Sequence, residues 1–94
     1  MKKNISDTDY MIREGIRAAL IELRKEKGLR QDELAEIVGK KRTTIGAWED
    51  GTSLPSLEML YRLSKYYNVT LERMYGIKEG SDYADRQKNT IWKI

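Results

Sequence analysis

Apolar residues recur at three- and four-residue steps in several separate stretches of the chain, the spacing of amphipathic helices. The first stripe consists of Ile12, Ile16, Ala19 or Leu20, and Leu23. It predicts helix one from about residue 9 to Lys27. Ser6 or Thr8 would cap its start, and Gly28 would end it.

A shorter stripe predicts helix two over about Gln31 to Val38. Its members are Leu34, Ala35, Ile37 and Val38. Gly39 supplies the left-handed residue that commonly ends a helix. Arg30 stands where a serine or threonine cap would be expected, and losing such a cap typically costs about 1 kcal/mol. We therefore expect packing to hold this helix.

Helix three is predicted over about Lys41 to Asp50, followed by Gly51. At about 100° per residue, Ile45 and Trp48 lie on one side and should face the core. The opposite side carries small or polar residues: Arg42, Thr43, Gly46, Ala47 and Asp50. Apart from Arg42, this side has little bulk, unlike an ordinary solvent-facing side with long glutamate and lysine side chains.

Two more stripes complete a predicted all-α domain of five helices. The stripe of helix four consists of Leu57, Leu60, Leu63, Ser64 and Tyr67, and that of helix five of Leu71, Met74 and Tyr75. Ser56 and Thr70 are the expected caps, and Gly76 the expected end. Beyond Gly76 the pattern weakens, and the chain shows no internal repeat or low-complexity tract.

Composition narrows the classes of protein. The 94 residues include no cysteine and no histidine, so disulfide and zinc scaffolds are excluded, and no cofactor or metal is expected. The chain also shows no glycine-rich phosphate loop, serine-centred elbow or paired-carboxylate motif, which indicates a protein that is not an enzyme. No apolar run approaches the roughly 20 residues of a membrane helix, and no signal peptide is evident, so the cytoplasm is the expected location.

The distribution of charge says more than its sum. The formal net charge is +3, from 18 basic and 15 acidic residues. Lys40, Lys41 and Arg42 form a dense basic cluster at the start of helix three. Such a cluster suits a polyanion, although three basic residues in a row are also typical of plain solvated surface.

Two short helices joined by a tight turn at Gly39 have the spacing of a helix-turn-helix. Several spaced features coincide with it: "LRKEKGL", Gln31, "ELAE", Gly39, "IGAWEDG" and "LPSLEMLYRL". In these motifs the chain resembles the Cro/C1-type, or xenobiotic-response-element, helix-turn-helix family, which includes lambdoid phage repressors. The resemblance implies a compact, lambda-repressor-like DNA-binding domain over residues 12–76, with an N-terminal extension at 1–11 and a C-terminal tail at 77–94.

The resemblance implies that Gln31 contacts a phosphate of double-stranded DNA, that Arg42, Thr43 and Ala47 contact base edges, and that Thr44 sits at the groove edge. The resemblance also places Thr52 near the phosphate backbone. Positive charge at the start of helix three adds Lys40 and Lys41 as expected phosphate contacts. In the alternative interpretation without DNA contact, Thr43 and Thr44 only cap helix three, and Gly46 is tolerated without a functional role.

The chain departs from the family pattern at several positions. Lys41, like Arg30, stands where a capping serine or threonine is usual. Asp50 on the outer side should repel phosphate, which leaves Thr52 to donate only neutral hydrogen bonds. The family suggests that Glu49 pairs with Arg24 of helix one, while a plain surface acid is the alternative.

Two hypotheses of function follow. The first is a sequence-specific transcriptional regulator that binds DNA as a homodimer and acts as a repressor. Its dimer surface would comprise Met74, Tyr75, Ile77, Ile91, Trp92 and Ile94, unless the tail folds back on its own core or is disordered. The second is an antitoxin-like or adaptor protein whose tail binds a protein partner.

Overall fold

The computed structural model describes residues 5–77, and the side chains of residues 9–77. This part contains five helices and no strand: α1 (Ile5–Glu26), α2 (Gln31–Val38), α3 (Arg42–Asp50), α4 (Leu57–Tyr67) and α5 (Leu71–Met74). The predicted all-α, five-helix, lambda-repressor-like fold is confirmed. None of the helices within residues 5–77 is both long enough and apolar enough to cross a bilayer.

All five helices contribute to one hydrophobic core. Its buried members are Ile16, Leu20, Leu23, Leu34, Ala35, Val38, Ile45, Trp48, Met59, Leu60, Leu63 and Met74. Ile45 and Trp48 are 0% and 5% exposed, as the angular pattern of helix three predicted. The two short helices of the motif are therefore attached to the rest of the domain by their apolar sides.

Hydrogen bonds to side-chain oxygens cap the N termini of three helices. The Ser56 hydroxyl accepts the backbone N–H of Met59 at 3.0 Å, and the Thr70 hydroxyl accepts that of Arg73 at 3.1 Å, so both predicted caps are confirmed. For α2, Glu33 reaches back and accepts the backbone N–H of Arg30 at 2.8 Å. This bond partly replaces the cap that Arg30 does not provide.

The predicted start of the first helix is wrong, because α1 begins at Ile5 and runs past the supposed caps Ser6 and Thr8. An ion pair of 3.1 Å between Asp9 and Arg13 stabilises the early turns weakly. Ile12 is 44% exposed, so the buried stripe starts only at Ile16. The early turns of α1 lie where little of the core covers them.

Two predicted stripe residues on the later helices are also exposed. Leu57 is 78% exposed, while Met59 is buried in its place, because the buried side of α4 is rotated by about a quarter of a turn from Leu57. Leu71 is 42% exposed, and α5 buries only Met74. Apolar periodicity alone did not determine the phase of these helices.

The predicted dimer surface changes as well. Met74 is 0% exposed and belongs to the core, so its side chain is not available to a partner. Tyr75 and Ile77 are half-buried. Ile91, Trp92 and Ile94 lie outside the described residues, as does the tail from residue 78 onward.

The middle of α1 and the end of α5 meet backbone to backbone at two glycines. A Cβ atom added to Gly15 would lie 2.2 Å from the carbonyl oxygen of Tyr75, and one added to Gly76 would lie 2.7 Å from the carbonyl oxygen of Gly15. Gly76 also has φ of 88°, which disfavours any other residue. The helices can approach this closely only because both positions lack a side chain.

We expect Gly15→Ala to destabilise the domain. The methyl group collides with backbone, and such overpacking typically costs about 1–3 kcal/mol, more than the gain of up to about 1 kcal/mol from replacing a helical glycine. Urea unfolding followed by circular dichroism measures the loss. Gly46→Ala is the matched control, because within residues 9–77 its Cβ atom would meet only the Gln31 side chain, at 3.9 Å. Equal stability of the two variants would contradict the backbone contact.

Candidate nucleic-acid interface

The turn between α2 and α3 is short and left-handed at its first residue. Gly39 has φ of 73°, and its N–H donates to the carbonyl oxygen of Glu36 at 3.3 Å. The N–H of Lys40 donates to the carbonyl oxygen of Ala35 at 2.9 Å. These bonds satisfy the last carbonyls of α2 and let α3 start at Arg42 after a turn of three residues, which gives the spacing of a helix-turn-helix.

The side of α3 opposite the core is here called the outer face. It consists of Arg42, Thr43, Gly46, Ala47 and Asp50. Arg42, Thr43 and Asp50 are exposed, and Gly46 and Ala47 are half-buried. Ile45 and Trp48 anchor the helix from behind. Within residues 9–77, a Cβ atom added to Gly46 would come within 4 Å of the Gln31 side chain alone, at 3.9 Å, so a partner can approach the helix backbone there.

Three cations lead into this face. Lys40, Lys41 and Arg42 are all exposed. Within residues 9–77, none of their side chains takes part in an ion pair or a hydrogen bond. Lys41 occupies the N-cap position of α3 and makes no side-chain cap bond, and the first turn of α3 contains no acidic residue. The helix thus begins with uncapped amides and unpaired positive charge, a combination that suits an anionic ligand.

A polar contact fixes α3 to the two helices before it. The Arg24 guanidinium donates to both carboxylate oxygens of Glu49, at 2.6 and 2.9 Å, and to the carbonyl oxygen of Leu29 at 2.7 Å. The Gln31 amide donates to the same carboxylate at 3.0 Å. We call Arg24, Gln31 and Glu49 the Glu49 network. The predicted pair of Arg24 and Glu49 is confirmed, and the surface-acid alternative is wrong.

The charged groups of this network are largely buried, unlike those of a surface ion pair. The side chains of Arg24 and Glu49 are 12% and 8% exposed. Burial disfavours the charged carboxylate, but hydrogen bonds from Arg24 and Gln31 outweigh it and hold the pKa of Glu49 below its ordinary value of 4.5. The stabilisation is therefore present above that ordinary value and is lost as the pH falls through the lower folded-state pKa.

Gln31 lies beside the middle of the outer face. Its amide oxygen is 3.9 Å from the position that a Cβ atom on Gly46 would take. One amide N–H is engaged with Glu49, and a primary amide has a second one to donate. The predicted phosphate contact of Gln31 is compatible with this geometry and stays a prediction.

Asp50 and Thr52 form a closed local unit at the exit of α3. Both the backbone N–H and the hydroxyl of Thr52 donate to one carboxylate oxygen of Asp50, the N–H at 2.8 Å. These bonds lower the pKa of Asp50 below its ordinary value. Because both donors of Thr52 are engaged, it donates to a phosphate only if these bonds break.

Of the predicted DNA-contacting residues, Arg42, Thr43 and Ala47 lie on the outer face of α3, and Gln31 of α2 lies beside Gly46 of that face. Lys40, Lys41, Arg42 and Thr43 are exposed, while Gln31, Thr44 and Ala47 are half-buried. The hydrogen bond from Gln31 to Glu49 was not predicted. The family resemblance assigns Gln31 to a phosphate contact, and no sequence spacing links Gln31 to Glu49. The internal bonds of Thr52 were missed as well, although an acidic residue two positions before a threonine is a common turn pattern.

Comparison with known proteins supports the assignment of the motif. A helix-turn-helix family model matches residues 20–74, more than half of the chain. An uncharacterized HTH-type transcriptional regulator of Archaeoglobus fulgidus is 35% identical over 60 residues, which cover 64% of this chain and 86% of that protein.

Two relatives carry more specific names. The HTH-type transcriptional activator BcrR of Enterococcus faecalis is 38% identical over 74 residues, or 79% of this chain and 36% of that protein. The cryptic phage CTXphi transcriptional repressor RstR of Vibrio cholerae is 36% identical over 73 residues, or 78% of this chain and 65% of that protein. The chain therefore spans about a third of the activator and about two thirds of the repressor.

A solved structure shares the fold. The crystal structure of a transcriptional regulator from Listeria innocua superposes with a TM-score of 0.62 at 24% identity, over 83% of this chain and 75% of that one. At this identity the likeness concerns the fold alone.

We expect Glu49→Ala to destabilise the domain by about 3–5 kcal/mol, because it leaves the buried Arg24 charge without its carboxylate. Urea unfolding at pH 7 measures the loss. In the control Arg24→Met/Glu49→Leu both charges are gone, and its stability should lie much closer to that of the parent. If the double variant is as unstable as Glu49→Ala, the uncompensated charge is not the cause.

Proposed function

Because this chain belongs to the Cro/C1-type helix-turn-helix family, we propose that it is a DNA-binding transcription regulator that reads the major groove with α3. We propose further that it acts as a homodimeric repressor. The observation that carries the proposal is the outer face of α3: it is low in bulk, and Lys40 and Lys41 before it and Arg42 within it are exposed and form no ion pair within residues 9–77. The Glu49 network and the buried Trp48 hold that face in place from behind.

Electrostatics favour a polyanion at the start of α3. Exposed cations at a helix N terminus oppose the helix dipole, each by about 0.3–1 kcal/mol. A phosphate bound there reverses this penalty, and the uncapped amides of the first turn supply further donors. Lys40 and Lys41 would make contacts that are independent of sequence and weaken as salt rises.

Side chains of the outer face are suited to base edges. Arg42 offers a bidentate fork to O6 and N7 of guanine, and Thr43 offers a hydroxyl and a methyl group. Ala47 is small enough to contact the methyl group of thymine. The half-buried Thr44 would lie at the groove edge, near the sugar-phosphate backbone. Gln31 would contact a phosphate through its second amide N–H.

A dimer follows from the size of the site that one domain can read. A single recognition helix contacts only a few base pairs, and two copies on an inverted repeat read half-sites about 34 Å apart. The symmetry of the protein dimer then matches that of the operator.

Repression requires fewer functional surfaces than activation does. A bound dimer obstructs a promoter by occupying it, whereas activation needs a further surface for the transcription machinery. The relatives named above include both an activator and a repressor. The antitoxin-like or adaptor alternative depends on the tail, which lies outside the described residues, and no described contact favours it.

The assignment of α3 is tested by two alanine substitutions on an operator selected from random duplex DNA at two salt concentrations. Arg42→Ala should lose about 1–3 kcal/mol of binding free energy on the selected site and relax one base position. Lys40→Ala should weaken binding to all DNA similarly and reduce the salt slope by about 1. Fluorescence anisotropy of labelled duplexes measures both effects.

Lys27→Ala is the control for these variants, because it removes an exposed cation outside the helix-turn-helix. It should bind the selected operator as the parent does. If Arg42→Ala and Lys40→Ala also bind like the parent, α3 is not the reading helix.

Gly46 provides an independent test of close approach to DNA. The free protein has room for a methyl group there, and Gly46→Ala should raise stability by up to about 1 kcal/mol. If the groove wall approaches the helix at Gly46, the same variant should bind the operator about tenfold more weakly or worse. Thermal unfolding and anisotropy on one preparation separate the two effects. Parental affinity would place the DNA elsewhere on the outer face.

A further inference from the structure

A row of exposed apolar side chains runs along α4, about a quarter of a turn from its buried side. Leu57 is 78% exposed and Tyr61 is 52% exposed, and residues four apart lie one above the other on a helix. Leu54, just before the helix, is 36% exposed. Lys65 lies over the Tyr61 ring at 5.3 Å and marks the far end of the row. We call Leu57 and Tyr61 the apolar row.

A row of opposite charges lies beside the apolar row. Glu58 and Arg62 are also four residues apart, about 100° further around the helix. Both are exposed, and neither forms an ion pair within residues 9–77. We call Glu58 and Arg62 the charged row. This face of α4 therefore presents an apolar pair and an unused acid–base pair, side by side and at the same spacing.

We propose that α4 is the homodimer interface and packs antiparallel against α4 of a second copy. A two-fold axis perpendicular to the plane of two antiparallel helices leaves each flank facing its own equivalent. The apolar row then packs against the apolar row of the partner. The charged row meets its copy in reverse order, so that Glu58 faces Arg62 of the partner subunit and Arg62 faces Glu58 of the partner subunit.

The two rows agree on where the axis passes. The apolar row is centred on position 59 and the charged row on position 60. One residue corresponds to about 1.5 Å along a helix, which side chains absorb without moving the backbone. A parallel pair would not work, because it places the two charged rows on opposite flanks, where they cannot meet.

This charge pattern favours a second copy of the chain over a different protein. A surface that complements itself must carry both members of each contact, in mirrored order about the axis. The charged row satisfies this requirement with one acid and one base, whereas a surface for an unlike partner needs no such internal symmetry. The apolar row between solvent and core supplies the area that association buries.

The expected dimer is weak in the absence of DNA. One face of an 11-residue helix buries less area than a standard interface, which buries about 800 Å² on each partner. We therefore expect a dissociation constant in the micromolar range. The inference deepens the dimeric part of the proposed function and rests on it, because it names the surface that would set the spacing of the two reading helices.

Sedimentation velocity of the full chain across a concentration series tests the interface. Glu58→Arg and Arg62→Glu should each weaken dimerisation at least tenfold, because every single reversal places like charges opposite each other. The double reversal Glu58→Arg/Arg62→Glu should return to within about threefold of the parent. Leu57→Glu should also weaken the dimer. Leu71→Ser changes a different exposed leucine and should leave the dimer intact.

Each alternative result overturns the proposal. A parent that stays monomeric at all concentrations assigns this face to another partner. Single reversals that dimerise normally place the interface elsewhere, and a double variant as weak as the singles excludes the antiparallel register. Thermal unfolding checks that each variant is folded.

Binding to a single half-site separates this inference from the proposed function. If Leu57→Glu is monomeric and still binds the half-site selectively, both proposals are supported. If the charge-reversal series behaves as expected but no variant and no parent binds selected DNA, the interface stands and the proposed function fails.

Discussion

The bidentate contact between Arg24 and Glu49 is the constraint on which the rest of the site depends. It joins the first and third helices across the core edge, and Gln31 brings the second helix into the same contact. A buried ion pair of this kind contributes little net stability, since desolvation of both charges offsets much of their attraction. Its value lies in orientation, because a planar guanidinium and a carboxylate bond well in only one arrangement. That arrangement fixes how far α3 is rotated, and with it which residues point outward.

Stability and recognition are divided between the two sides of α3. The inner side holds Ile45 and Trp48 against the core, while the outer side gives up the features that usually stabilise a helix: a side-chain cap, an acidic first turn and good helix formers throughout. A nine-residue helix with these deficits would not persist alone. It is held by its neighbours, which leaves the outer residues free to vary without loss of the fold.

Much of the fold was predictable because local chemistry and apolar spacing agreed. Gly39, Ser56 and Thr70 mark helix ends by their own backbone or side-chain preferences, and Ile45 and Trp48 share one side at any reasonable phase. The failures have a common cause. Leu57 looks like a core residue in sequence, but only the packing of α4 sets which side is buried. The role of Gly15 was not predictable from the local sequence, since the backbone of residue 75 that it touches is distant along the chain.

The meeting of Gly15 and Gly76 also has a consequence for how this sequence can drift over generations. A side chain at either position would collide with the backbone of the other segment. A single substitution at Gly15 or at Gly76 is therefore unfavourable while the two backbones stay in contact. A lineage that enlarged one of them would first have to tilt the end of α5 away from α1. We therefore expect Gly15 and Gly76 to be retained together or replaced together in related sequences.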